Sequence, residues 1–338
     1  MGFRLGRGVN ISHWLSQSER RGAERRGYFD EADVERIAAF GFDHVRLPVD
    51  EVQLWDEQGR RDSEGFELLE RGLGWFERAG LRVVVDLHIV RSHYFNASVR
   101  PLFGDPAEQK RFCELWAGLS EALGHWSVEQ VAYELLNEPV AENDEEWNSL
   151  AARALAEVRA REPERMVAVG SNRFSEPLAF SGLRVPEDER LILTFHFYDP
   201  ILFTHYRAYW NAVQAYEGPI DYPGELVSQE VFDSFPAEAR NAARNLRAFR
   251  AEDVERLLDP ALALARKTGL PLWCGEFGAL DTTPPPARER WYRDVLAALD
   301  RHQIPWTVWD NKGDFGVFDA EGRPTLVHRF LSEAISSS

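Results

Sequence analysis

Two glutamates stand where apolar strands end, and together they could carry out acid–base and nucleophilic chemistry. Glu138 follows the apolar run in "VAYELLNEP", residues 131–139, and Glu276 lies in "WCGEFG", residues 273–278. Two carboxyl groups that face each other across a bound sugar are the machinery of glycoside hydrolysis, in which one is protonated and the other ionised. Arg46 within reach would hold one of them ionised, and the more shielded one would keep its proton. Taken alone, Asn-Glu-Pro could simply cap the next helix, and "GEFG" could form a turn.

Other strand ends also carry side chains that can hydrogen-bond or stack. Each has a structural explanation: Arg46 could form an ion pair at the rim, and His88 and His196 could be satisfied inside a barrel wall. Trp309 could belong to the core. Unpaired polar groups are costly in a core, however, so their recurrence at successive strand ends indicates one shared site. The set is Asn10, Arg46, His88, Asn137, Glu138, Asn172, His196, Tyr198, Glu276 and Trp309.

Eight short apolar runs, separated by helical patterns, must position these side chains. In "FELLERGLGWF" the apolar residues, from Phe66 to Phe76, share one helical face, and Trp291, Val295 and Leu299 form another stripe. Asp30 is a predicted N-cap with Asp33 as its capping-box partner. The predicted strands are Leu5–Val9, His44–Leu47, Arg82–His88, Val131–Asn137, Met166–Gly170, Leu191–Phe197, Pro271–Cys274 and Trp306–Trp309.

This alternation predicts an α/β protein. Nearly continuous apolar strands between amphipathic helices indicate a parallel sheet covered by helices. Eight such units predict a closed (β/α)8 TIM barrel, whose site lies at the C-terminal ends of the strands. An open doubly wound sheet is the structural alternative, although the chain has no G-x-G-x-x-G or P-loop motif.

One aromatic-rich segment, at about 199–250, interrupts the alternation between strand six and the next core helix. It has a helical piece of its own near Ala237–Ala248. We interpret it as a helical insertion at the rim of the barrel, so that residues 1–338 form a single catalytic domain. Its aromatic residues could only pack the insertion onto the barrel. For Trp210, a structural role and a sugar-stacking role remain equally open.

Composition excludes several classes of partner. The 338 residues are 44% hydrophobic and carry a formal net charge of −17, which argues against nucleic acid and anionic membranes. No apolar run approaches the ~20 residues of a membrane helix. No signal peptide is visible, so we expect a cytoplasmic monomer, although a secreted chain with its leader removed would read the same way. Cys113 and Cys274 lack metal-ligand spacing and are predicted to be buried thiols.

The motifs in this order resemble glycoside hydrolase family 5, the cellulase family of (β/α)8 hydrolases. The resemblance spans essentially the whole chain, and "TFHFYDPILFTHYRAYW" is similar to short intracellular bacterial endoglucanases with an insertion after strand six. The motifs that carry it are "RGVNISHWL", "GFDHVRLPVD", "VVVDLH", "ELLNEP", "FHFY", "CGEFG" and "WTVWDNK". All eight positions typical of the family are filled, by Arg46, His88, Asn137, Glu138, His196, Tyr198, Glu276 and Trp309.

The resemblance implies a role for each of these residues. Glu138 would be the acid/base and Glu276 the nucleophile of a retaining mechanism, with carboxyl groups ~5–5.5 Å apart. Asn137 would donate to the sugar 2-hydroxyl, Tyr198 and Arg46 would keep Glu276 anionic, and Trp309 would form the floor. His196 would sit near Glu138, and His88 would line the same subsite. Further substrate contacts are expected from Asn10, Trp14, His93, Trp210, Lys312 and Asp314.

We therefore expect a retaining endo-β-1,4-glucanase that acts on β-1,4- or mixed-linkage glucans without a cofactor or metal. The alternatives with the same catalytic pair are an exo-acting β-glucosidase or exo-glucanase and a β-mannanase. A different class is a metal-dependent barrel hydrolase built on His88, His93, His196 and His205. A sugar-binding protein that has lost catalysis would need a missing catalytic group, and none is missing.

Overall fold

Eight parallel strands close into a barrel, which confirms the predicted fold. The computed structural model describes residues 2–336. Each strand pairs with its neighbours in chain order, and the last pairs with the first through Arg7 and Trp306. The strands are β1 (Arg7–Asn10), β2 (His44–Val49), β3 (Arg82–Leu87), β4 (Val131–Glu134), β5 (Val167–Gly170), β6 (Leu191–Phe197), β7 (Leu272–Phe277) and β8 (Trp306–Val308).

Helices cover the outside of the barrel because one face of each is apolar. The helix Ser63–Arg78 buries Leu69, Leu73 and Phe76 against the strands, as its sequence periodicity predicts. The helices outside the insertion are Gly22–Tyr28, Glu31–Phe40, Glu51–Leu54, Ser63–Arg78, Pro106–Leu123, Asp144–Arg161, Ala251–Thr268, Pro285–Arg301 and Leu326–Ser336, with shorter turns at Pro101–Phe103, Asn172–Ser175 and Pro177–Gly182. Within residues 2–336, no helix is long and apolar enough to cross a bilayer.

The predicted cap at Asp30 is confirmed. Its side chain accepts from Asp33 N, and the Asp33 side chain accepts in return from Asp30 N, forming a capping box. The same helix ends at Gly41 with φ of 99°, a left-handed conformation that glycine adopts without strain. These end signals fix where the helix before β2 begins and stops, and therefore where Arg46 emerges.

The barrel interior has an apolar lower layer and a charged upper layer. Near the N-terminal ends of the strands, Val84, Ala132, Ile192 and Trp273 belong to a small apolar cluster that is separate from the main core. Side chains alternate along a strand, so Asp86, two positions after Val84, also points inward. Glu134, two positions after Ala132, does the same. These inward positions are held by charged residues.

Two predicted strand ends were wrong by three residues each, and the remaining ends agree to within two residues. We predicted that strand four runs to Asn137, but the ladder ends at Glu134, because Glu138 has φ of 46° and Pro139 follows. Strand seven was predicted to end at Cys274, whereas β7 continues to Phe277 and contains Glu276. A register shift against β6 near Gly275 lets this strand continue past the predicted end.

Between β6 and the helix Ala251–Thr268 lies the insertion that the sequence predicts. It holds short helical segments and a two-residue antiparallel ladder: Ile201–Thr204, Ala212–Ala215, Gln229–Asp233, Ala237–Ala242, and Gly224–Glu225 paired with Ala248–Phe249. The helix predicted near Ala237–Ala248 stops at Ala242 because the chain turns at Arg244 and Asn245, both with positive φ. Buried side chains such as Tyr222 and Phe232 join the same continuous core as the barrel helices.

Candidate active site

The structure brings Glu138 and Glu276 together at the C-terminal end of the barrel. A carboxylate oxygen of each and a ring nitrogen of His196 all lie within 4.8 Å of one another. Both glutamates are almost buried, with 9% of Glu138 and 4% of Glu276 exposed. A separation this short matches direct attack by one carboxylate, whereas carboxyl groups that activate water between them stand ~6.5–9.5 Å apart.

Arg46 is the centre of the site and is completely buried. Its Nη1 donates to Glu276 Oε1 at 2.6 Å and to Asn10 Oδ1 at 3.0 Å. Its Nη2 donates to Asn137 Oδ1 at 2.9 Å, which leaves the amide nitrogen of Asn137 as the remaining donor. Buried guanidinium groups are stable only when carboxylates and carbonyls satisfy them, as here.

Arg46 lowers the pKa of both glutamates, but of the two it hydrogen-bonds Glu276, so their proton affinities differ. Burial raises the pKa of both, and at Glu138 the neighbouring charge of Glu276 raises the pKa further, to well above the usual range. At Glu276, Arg46 and the hydroxyl of Tyr198 oppose the effect of burial on the pKa. The proton shared by the pair therefore resides on Glu138, and Glu276 remains the anion.

His196 and Tyr198 reach the pair from β6 and its exit. His196 Nδ1 lies 2.9 Å from Glu138 Oε1, and burial lowers the His196 pKa well below its usual value, so the ring is neutral. The hydroxyl of Tyr198 donates to Glu276 Oε2 at 2.8 Å. Both oxygens of Glu276 thus accept a hydrogen bond, one from Arg46 and one from Tyr198.

Sequence reasoning missed Asp86 and Glu134, which also bind Arg46. Arg46 Nε donates to Glu134 Oε2 at 2.6 Å, and Nη2 lies 2.9 Å from Asp86 Oδ2. The two acids are ladder partners on β3 and β4, and burial raises the pKa of each to about 7. The available signal in the sequence was a charged residue inside an otherwise apolar strand. Asp86, for example, lies two positions before His88.

His88 and Trp309 form one wall of the cavity. The two rings stack with centroids 5.8 Å apart and planes within 9° of parallel. The Asp86 carboxylate accepts from His88 Nδ1 at 2.6 Å, so His88 Nε2 is the acceptor that remains for a ligand hydroxyl. Burial lowers the His88 pKa to about 3, which keeps the ring neutral.

The side chains of four expected substrate contacts are engaged by the protein itself in the structure. Asn10 is buried and donates to the carbonyls of Gly275 and Val308. His93 is buried and donates from Nε2 to the carbonyl of Glu138 at 3.1 Å, so it braces that residue's strained backbone. The other two are Lys312, which binds Asp33 and the Tyr28 carbonyl, and Trp14, which is fully buried.

Trp14 is a core residue with a measurable contribution to stability. Its ring packs on Phe29 and Trp75 with centroids 5.0 and 6.2 Å away, and Nε1 donates to the Arg25 carbonyl. We expect Trp14→Ala to lower the free energy of unfolding by ~3–5 kcal/mol, measured by urea denaturation, with KM unchanged. Trp14→Phe should lose less. A raised KM at wild-type stability would contradict this assignment.

Trp210 and Asp314 are the two expected outer contacts that stay accessible. Trp210 is 39% exposed, and its ring meets His205 edge-on, while His205 in turn meets Tyr198. Asp314 is exposed on the loop after β8. Asn172 turns away from the cavity, because its side chain binds the backbone of Ala141.

The histidines of the alternative metal site do not share a ligand position. His88 binds Asp86, His93 binds a backbone carbonyl, and His205 Nδ1 faces the Thr204 hydroxyl. Across the described part of the chain, the one group with metal-ligand spacing is Glu138, His196 and Glu276. Arg46 and Tyr198 already occupy Glu276, so these donors fit a charged hydrogen-bond network better than a cation. Cys113 and Cys274 are buried free thiols, as predicted.

Comparisons with known proteins agree on one family. The family model described as cellulase (glycosyl hydrolase family 5) matches residues 11–315. The chain is 32% identical over 329 residues to endoglucanase C of Acetivibrio thermocellus, covering 94% of both proteins. It is 29% identical to cellodextrinase A of Ruminococcus flavefaciens over 88% of the chain and 83% of the relative. A solved structure of Thermotoga maritima Cel5A with mannotriose superimposes with a TM-score of 0.79 at 22% identity, covering 98% of this chain and 97% of that one.

Proposed function

The chain belongs to the cellulase family, glycosyl hydrolase family 5, and from that premise we propose a retaining endo-β-1,4-glucanase with Glu276 as nucleophile and Glu138 as acid/base. The observation that carries the proposal is the close carboxyl pair, in which Glu276 is held by Arg46 and Tyr198 and Glu138 is paired with neutral His196. The pair has the separation and the unequal proton affinities that double displacement requires.

In the first step, Glu276 attacks the anomeric carbon while Glu138 protonates the departing glycosidic oxygen. The C–O bond of the glycoside breaks, and an ester bond to Glu276 forms with inverted configuration. In the second step, Glu138 takes a proton from water, the water oxygen attacks the same carbon, and Glu276 leaves. Two inversions give overall retention.

The neighbouring side chains would recognise the sugar at the cleavage point. Asn137, whose oxygen is engaged by Arg46, would donate from its nitrogen to the 2-hydroxyl. Trp309 would support the sugar face, and His88 Nε2 would accept from a hydroxyl. Trp210 and Asp314 are the accessible candidates for outer subsites. We extend the proposal to one catalytic domain with its rim insertion at about 199–250, working as a cytoplasmic monomer without a cofactor.

The products distinguish endo action from the exo alternative. We expect a mixture of oligosaccharides from the start, because nothing in the carboxyl pair requires a chain end. The viscosity of a soluble cellulose solution should therefore fall early, when only a few reducing ends have been released. The measurement is viscosity against reducing sugar, together with chromatography of cellopentaose digests. Stepwise release of glucose or cellobiose from one end would instead support an exo-acting enzyme whose cleft the insertion closes.

The β-mannanase alternative is favoured by one observation on a structural neighbour. The Thermotoga maritima Cel5A structure was solved with mannotriose. Glucose and mannose differ at the 2-hydroxyl, to which Asn137 would donate, so side-by-side rates on cellopentaose and mannopentaose decide the substrate class.

A further inference from the structure

A single arginine of the insertion joins two loops beside the catalytic pair. Arg244 lies after the helix Ala237–Ala242, and its Nη1 donates to Asp199 Oδ2 at 2.8 Å. Its Nη2 pairs with Glu176 Oε1. Asp199 directly follows Tyr198 at the exit of β6, and Glu176 ends the turn after β5. One guanidinium thus ties the insertion to two neighbouring strand exits.

Each of the two loops is also connected to a catalytic group. On the β6 side, Tyr198 donates to Glu276, and the backbone carbonyl of Asp199 accepts from Trp291 Nε1 at 2.9 Å. On the β5 side, Phe174 N donates to the carbonyl of Pro139, the residue after Glu138, at 3.2 Å. A change at Arg244 would therefore reach both halves of the catalytic pair through short connections.

The β5 turn needs such support because its backbone is strained. Arg173, Phe174 and Ser175 have φ of 59°, 63° and 54°, three consecutive residues in the left-handed region without a glycine. Such conformations persist only where the surroundings hold them. The Ser171 hydroxyl holds the end of the turn through the Glu176 carbonyl at 2.8 Å, and Arg244 holds the Glu176 side chain.

Glu176 also belongs to the charges that act on Glu138. The charged and titratable groups that act on Glu138 come from several strands: Arg46, Asp86, His196, Tyr198, Glu276 and Glu176, with His93 on its backbone. Those around Glu176 are Arg244, Asp199 and Arg173. Burial raises the pKa of Glu176 to about 7, and Arg244 opposes that rise. The Glu176 charge in turn raises the pKa of Glu138.

We propose that Arg244 and Glu176 are positioning residues, through which the insertion holds the β5 turn and sets the charge facing the proton donor Glu138. The inference rests on the proposed function of Glu138 as the acid/base. It gives the insertion a part in catalysis that does not require contact with substrate.

The test is the pH profile of kcat/KM in Glu176→Gln, on a substrate with a poor leaving group such as methyl β-cellotrioside. The alkaline limb of that profile reports loss of the Glu138 proton. The glutamine removes a negative charge, while Arg244 keeps its positive charge and its bond to Asp199, so Glu138 releases its proton more easily. We expect the limb to move to lower pH by roughly half a pH unit or more, the order of magnitude expected for the loss of one charge that acts on a buried carboxyl group.

Three further variants separate the effect of charge from a purely structural effect. In Glu176→Gln/Arg244→Gln, the positive charge of Arg244 is removed as well, and the limb should return toward its wild-type position. Arg247→Gln is the matched control, because Arg247 lies in the same insertion and forms its ion pair with the exposed Glu225. It should leave the profile unchanged. If the double variant does not fold, Arg244→Lys is the alternative test. It keeps the positive charge, so it should leave the limb at its wild-type position.

On dinitrophenyl β-cellobioside, whose leaving group needs no proton, the glycosylation rate of Glu176→Gln should stay near wild type. An unmoved or upward-moving limb in Glu176→Gln, or an equal shift in Arg247→Gln, would overturn the inference. So would a double variant whose limb stays as far displaced as in Glu176→Gln, because the charge of Arg244 would then have no effect on Glu138. Failure of the proposed function looks different, since Glu276→Ala would then remain active.

Discussion

We expect Glu276→Ala to lose kcat on soluble glucan by roughly 10⁴-fold or more, about 5.5 kcal/mol of transition-state stabilisation. The reason is that no other described side chain near the anomeric carbon is an anion placed for attack: Glu138 holds the proton, and Asp86 and Glu134 lie behind Arg46. The measurement is initial rate with the folded variant at matched thermal stability. Glu276→Asp keeps the charge but shortens the reach, so it should retain more activity than the alanine variant.

The vacated position offers a second, stereochemical readout. A small anion such as azide can occupy the space left by the Glu276 carboxylate and attack an activated β-glycoside from the same face. The product should be the α-glycosyl azide, because only one inversion has taken place. A β-azide from this variant, or turnover near wild type, would show that Glu276 is not the nucleophile.

We expect Glu138→Ala to lose turnover on unactivated glucan by ~10²–10⁴-fold, with a loss that depends on the leaving group. Glycosylation by dinitrophenyl β-cellobioside should stay fast, because that leaving group departs without a proton. Water then lacks its general base, so the glycosyl-enzyme accumulates and a burst of dinitrophenol precedes a slow steady state. The alkaline limb of the pH profile should also disappear, since the group whose raised pKa defines it is gone.

Azide distinguishes the two glutamates directly. In Glu138→Ala it should attack the accumulated intermediate and yield the β-glycosyl azide, with steady-state turnover restored. Glu138→Gln serves as the isosteric control, because the amide preserves packing against His196 but cannot donate the proton. Equal losses on activated and unactivated substrates, without a burst, would contradict the acid/base assignment.

The barrel could be predicted from the sequence because its elements are locally encoded. Each apolar run is short, and each helix between runs has a single apolar face, so the order of elements follows from periodicity alone. The Asp30 capping box is an equally local signal. Strand ends were harder, because the exit of β4 depends on the backbone of Glu138 and that of β7 on a register shift against β6.

The functions of individual polar residues were harder to predict, because they depend on register across the sheet. Asp86 and Glu134 become partners only when β3 and β4 pair in the observed register, and both then face Arg46. Asn10 lies at the predicted strand end, but its side-chain amide donates to the carbonyls of Gly275 and Val308. Trp14 lies near the same exit, yet it packs outward against helix residues. The sequence showed which residues lie near the mouth of the barrel, but it did not show in which direction their side chains point.

The two-layered interior of the barrel has a practical consequence for engineering. The Trp273 layer closes the bottom with hydrocarbon, and the Arg46 layer above it performs the recognition and chemistry. Two residues along a strand span less than the ~7–10 Å at which substitutions act independently, so repacking the lower layer for heat tolerance would be felt in the layer above it. Directed evolution of this scaffold should therefore vary and select the two layers together.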